Sequence, residues 1–101
     1  MIDHRFFDEA AGEIEHERAW YRARSPAAET AFLRELDHAI DSVTSAPQRW
    51  PNYLSGTRRY VFSTFPFSLV YFVEETAVVF VALASERRRP GYWLGRIARK
   101  V

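Results

Sequence analysis

The run Phe67-Ser68-Leu69-Val70-Tyr71-Phe72-Val73-Glu74, followed after Glu75-Thr76 by Ala77-Val78-Val79-Phe80-Val81-Ala82-Leu83-Ala84, consists of two nearly unbroken apolar segments joined by two polar residues. Both are rich in β-branched and aromatic residues, which fit a pleated and buried surface, and both have the length of an ordinary strand. A two-residue connection forces them to be antiparallel neighbours, because a parallel pair needs a crossover of about a dozen residues. A third β-rich run, Arg58 to Thr64, precedes them across Phe65-Pro66, so the three form an antiparallel meander. Strands this continuously apolar have both faces covered at least in part. Helices account for one face. The other calls for a C-terminal helix or a partner chain.

Upstream, the pattern changes period. Phe7, Ala10, Ala11, Ile14, Ala19, Trp20 and Tyr21 stand among Glu and Arg at a spacing that approximates one helical face, predicting a helix from about Phe7 to Ala23. Ser25-Pro26 starts a second helix, the serine as N-cap and the proline where its missing N–H costs nothing. Ala28, Phe32, Leu36, Ala39, Ile40 and Val43 recur at three and four residues until Ala46-Pro47 ends that helix. Residues 47–56 read as a connecting loop, and Tyr92 to Lys100 as a short terminal helix after Arg87-Arg88-Arg89-Pro90-Gly91. Phe32, Leu36 and Ile40 are expected to face Val70, Phe72, Val79 and Val81 or their immediate neighbours, with the strand parity open. The fold class is α+β: an N-terminal helical hairpin packed on an antiparallel β-sheet, in a single domain over residues 1–101.

Composition narrows the setting. Of 101 residues 48% are hydrophobic, enough for one core and too few residues for two ordinary domains. Without cysteine there is no disulfide framework and no thiolate metal site, and a cytoplasmic protein is expected. The start, Met1-Ile2-Asp3-His4-Arg5, lacks a signal-peptide pattern, and no apolar run approaches the roughly 18 residues of a membrane span. Residues 1–50 carry 6 Arg/Lys against 10 Asp/Glu (net −4) and residues 51–101 carry 8 against 3 (net +5). The basic half is almost all arginine, which suits an anionic partner because guanidinium forks fit phosphates and carboxylates.

Candidate chemistry concentrates in that half. Arg87, Arg88, Arg89, Tyr92, Trp93 and Arg96 follow a core strand, and Arg58 and Arg59 open the first strand of the meander, so antiparallel order brings the groups to one side of the sheet. Cations interleaved with rings suit RNA or single strands, although Tyr92 and Trp93 also read as core anchors. His4, His16 and His38 are scattered without metal-ligand spacing, and the four glycines form no phosphate loop, so no metal or cofactor is expected.

In order along the chain, Glu9-Ala10-Ala11-Gly12-Glu13-Ile14, Trp20-Tyr21, Phe32-Leu33-Arg34-Glu35-Leu36, Ile40, Pro47, Arg58-Arg59-Tyr60, Phe65-Pro66-Phe67, Val70-Tyr71 and Arg87-Arg88-Arg89-Pro90-Gly91-Tyr92-Trp93 make a pattern that resembles the RelE/ParE toxins of type II toxin-antitoxin systems. The resemblance spans nearly the whole chain. It implies a short N-terminal strand near Ile2 to Phe6, a cognate antitoxin as partner, and growth arrest once that antitoxin is lost. It also implies a choice. RelE-like toxins cleave messenger RNA on the ribosome, for which Arg58, Arg59, Arg87, Arg88, Arg89 and Tyr92 would be the catalytic set, and this activity is the leading expectation. ParE-like toxins bind DNA gyrase without a comparable centre, and a degenerate toxin would serve only as its antitoxin's partner. Many relatives with this ending carry a His where this chain has Ser85, which removes an acid–base group suited to neutral pH; Glu86 could serve as a base, but beside three arginines it is expected to sit ionised in an ion pair.

Overall fold

A computed structural model describes residues 2–100. Strand β1 (Asp3–Phe6) leads into helices α1 (Asp8–Arg24) and α2 (Pro26–Ser45), followed by strands β2 (Arg58–Val61), β3 (Phe67–Glu74) and β4 (Ala77–Ser85) and a short helix α3 (Leu94–Lys100). The sheet order is β1-β4-β3-β2. The meander β2-β3-β4 is antiparallel, while β1 joins the outer side of β4 in parallel, as the long connection between them through α1, α2, β2 and β3 allows.

Ser25 caps α2 as its sequence suggests: its hydroxyl accepts the Ala28 N–H at 3.0 Å, and Pro26 occupies the first turn. Phe32, Leu36, Ala39 and Val43 are buried against Leu69, Tyr71, Val78, Phe80 and Leu83, with Ile40 half-buried beside them. The strand residues that meet α2 are therefore the immediate neighbours of Val70, Phe72, Val79 and Val81, and that second set lies on the opposite face. An irregularity helps fix this parity: Tyr71 pairs with Phe80 but Val70 pairs with Ala82, so Val81 is an extra residue in β4. The opposite face is covered from within the chain. Phe7, Ala10 and Trp93 are buried against Val70, Val79, Val81 and Ala82, and Tyr53, Tyr92 and Ile97 pack around them.

Two elements differ from expectation. Strand β2 stops at Val61 rather than Thr64, because beyond Phe62, whose N–H still reaches the Phe67 carbonyl, the amides are taken by a side chain. The Glu35 carboxylate accepts the N–H groups of Ser63, Thr64 and Phe65 at 2.9–3.2 Å and the Ser63 hydroxyl at 2.6 Å. Helix α3 starts at Leu94 rather than Tyr92, because Gly91 turns the chain at φ +82 and a Cβ there would lie 3.0 Å from the Leu94 side chain.

Burial by itself pushes the Glu35 carboxyl up, but the donors of Ser63, Phe65 and Thr64 together hold it below its ordinary value of 4.5. The Arg22 and Arg18 guanidinium groups draw Glu29 down to about 2. A carboxyl whose folded pKa is depressed stabilises the fold above its unfolded pKa and loses that contribution as pH falls through the folded value. Thermal melts should therefore show a falling Tm below about pH 4.5, continuing to about pH 2. Glu35→Gln should flatten part of this fall, and an unchanged profile would show that the nest around Glu35 is not formed in solution.

Candidate functional site

Strand β1 pairs with residues 77–80 of β4, which leaves the outer edge of β4 beyond Phe80 without a neighbouring strand. Side chains take that place. Glu13, from the second turn of α1, accepts the Leu83 N–H at 3.1 Å, and Arg96 donates to the Val81 carbonyl at 3.1 Å. Arg96 and Glu13 also form a two-pronged pair at 2.8 Å for each contact, and the Tyr92 hydroxyl donates to Glu13 at 2.6 Å. Burial foremost, then the bond to Glu13 and its charge, raise the Tyr92 phenol well above its usual range. The bond to Glu13 likewise raises Arg96.

This network orients the loop from Glu86 to Pro90, all of whose residues are exposed. Ser85 shapes its start: the Ser85 hydroxyl accepts the Arg87 N–H at 3.2 Å and its carbonyl accepts the Arg88 N–H at 3.0 Å. Arg88 lies over the Tyr92 ring at 4.0 Å, and Arg59, reaching across from β2, lies over the Tyr53 ring at 4.2 Å. Arg59, Arg88, Arg89, Tyr92 and Trp93 line a cleft of about 190 Å³. Arg87 turns the other way, toward a wider groove of about 730 Å³ that runs past Glu17, Trp20 and Tyr21. Trp20 is 45% exposed there, with Arg24 stacked on it at 3.4 Å.

Of the six residues singled out by sequence, the structure gathers Arg59, Arg87, Arg88, Arg89 and Tyr92 at one end of the sheet. Arg58 stands apart. Its guanidinium donates to the Trp50 carbonyl at 2.6 Å and to the Gln48 side chain at 3.0 Å, tying down the loop after α2. Trp93 is a core residue, 1% exposed. Glu86 lines the smaller cleft and, contrary to the ion pair expected from its three arginine neighbours, makes none among the described residues. Sequence reading did not mark Glu13 or Tyr53. Each meets its partners only through the fold, Glu13 at separations of 70 to 83 residues. Among the described residues no His, Asp and Glu cluster could hold a metal ion, and no helix is long and apolar enough to cross a membrane.

A two-helix hairpin on a mixed four-stranded sheet is an architecture shared with solved structures. One of them, the chromosomal ParDE TA system from P. aeruginosa, superposes with a TM-score of 0.61 at 15% identity, covering 84% of this chain and 96% of that one. No match was found among curated proteins. Residues 5–90 match the family described as ParE toxin of type II toxin-antitoxin system, parDE, and the chain belongs to that family.

Proposed function

We propose that this toxin arrests growth by binding DNA gyrase rather than by cutting messenger RNA, and that a cognate antitoxin restrains it. One observation carries the reading: the arginine surface offers cations, while the phenol beside them that could move a proton is already held by Glu13. The Tyr92 hydroxyl is committed to Glu13 and its phenol is raised, and Ser85 stands where many relatives carry a His. Arg58, which would complete a transition-state clamp, is turned to the Trp50 carbonyl. Arg59, Arg87, Arg88 and Arg89 are then binding residues, with Tyr92 holding Arg88 in place. The antitoxin would combine acidic residues facing these arginines with an apolar stripe, as a helix in a groove or an added strand.

The deciding experiment is primer extension on cellular mRNA soon after induction, run beside a gyrase supercoiling assay with purified protein. Intact transcripts and blocked supercoiling are expected, both reversed by the product of the neighbouring open reading frame. Arg88→Ala should weaken inhibition by about tenfold or less and in a salt-sensitive way, since one surface charge contributes about 1 kcal/mol. Cut transcripts that vanish with a single arginine would establish ribonuclease action in its place. Activity in neither assay would mean a degenerate toxin that survives as an antitoxin partner.

A further inference from the structure

Several acidic residues, on α1, α2 and the end of β3, are matched to particular arginines. Glu13 holds Arg96, Glu9 holds Arg99, Glu29 holds Arg18 and Arg22, and Glu74 holds Arg5. Among the described residues Arg59, Arg87, Arg88 and Arg89 have no such carboxylate, and they stand together at one end of the sheet. Folding thus pairs Arg96 and Arg99 of α3 with carboxylates and leaves the loop after β4 cationic.

Two features say which polyanion this surface suits. The tyrosine rings are covered, Tyr53 by Arg59 and Tyr92 by Arg88, with Arg96 also near Tyr92 at 5.1 Å. A splayed nucleobase would have to displace a guanidinium to stack there, which disfavours the single-strand mode of binding. The stacked guanidinium planes are held in place beforehand, which lowers the entropy lost when they meet an anion. The consecutive arginines also diverge: Arg87 lines the wider groove, Arg89 the smaller cleft, and Arg88 both. Cations spread over a projecting turn meet a continuous charged ridge better than a single carboxylate.

We propose that Arg59, Arg87, Arg88 and Arg89 bind the phosphodiester backbone of double-stranded DNA without reading its sequence. On the gyrase reading, on which this extension alone rests, the toxin would grip the DNA the enzyme carries as well as the enzyme. Glu86, exposed in the same loop, opposes the contact and keeps it weak.

The test is fluorescence anisotropy of the full chain against a labelled duplex of about 30 base pairs, a single-stranded RNA of equal length and a polyglutamate peptide, between about 50 and 200 mM salt. Duplex binding should be indifferent to sequence and should fall with a log–log salt slope of about −3, the value for three to four neutralised phosphates. Arg88→Ala should flatten the slope by about 0.9 with no change in melting temperature, and Glu86→Gln should tighten binding. Absent duplex binding at the lowest salt, or tighter binding to RNA or to polyglutamate, would overturn the proposal. A supercoiling assay on the same preparation separates it from the gyrase reading. Inhibition without duplex binding ends this inference alone, whereas duplex binding without inhibition supports it and ends the gyrase reading.

Discussion

Glu13→Ala is expected to destabilise the folded chain by about 3–5 kcal/mol, because it leaves the Arg96 guanidinium mostly buried without its counter-charge. The Arg96 and Glu13 side chains are only 13% and 19% exposed, so water can replace little of what the carboxylate supplied. The Leu83 N–H and the Tyr92 hydroxyl lose their acceptor in the same step. Against a total of about 5–15 kcal/mol for a domain, such a loss brings the chain close to unfolding at growth temperature. Urea unfolding of the variant measures it. Replacing both Glu13 and Arg96 by apolar residues of similar volume should recover most of the loss, since removing a buried pair together is far less costly than orphaning one member. A loss under about 1 kcal/mol for Glu13→Ala would show that the pair is solvated.

Phe32→Ala should cost about 3–5 kcal/mol, at or above the roughly 2–5 kcal/mol expected for Leu36→Ala one turn further on. The Phe32 ring is fully buried. It stacks on Tyr21 at 5.3 Å and meets Phe65 and Phe67 edge-on at 5.7 and 5.8 Å, so truncation opens a cavity among three rings from three segments. Denaturant midpoints should fall at nearly constant m-value, which reports lost packing rather than a changed unfolded state. A change under about 0.5 kcal/mol for either variant would place the α2 stripe outside the core.

What sequence could reveal was local. The Ser25-Pro26 start of α2, the helical stripe through Phe32, Leu36 and Ala39, and the two apolar strands each follow from neighbours within one or two turns. Strand parity did not, because an extra residue at Val81 shifts the face that each side chain presents. The end of β2 was hidden for a similar reason: Glu35, 28 to 30 residues earlier, claims the amides that a longer strand would have used. At the candidate site the arginine cluster was legible as a charge run, but its membership was not. Arg96 reads as one more cation beside Tyr92 and is in fact neutralised by Glu13, while Arg58 reads as the twin of Arg59 and faces another way. Part of the charge asymmetry between the two halves of the chain is therefore closed inside the molecule, and only the remainder faces outward.

The side chains lodged along the upper part of β4 bear on how long the toxin can last alone. An open strand edge is a template on which identical chains pair and aggregate, and a toxin that acts once its antitoxin has gone must survive with its surfaces bare. Here Glu13 and Arg96 occupy backbone groups that a neighbouring molecule would otherwise claim, and β1 beside them is only four residues long and carries Asp3 and Arg5. On the far side, Asn52 bridges to Arg58 and the Pro51 carbonyl accepts the Arg59 N–H at 3.2 Å, shielding the start of β2. The molecule is in this sense stoppered against its own kind by a few polar side chains, Glu13 and Arg96 foremost.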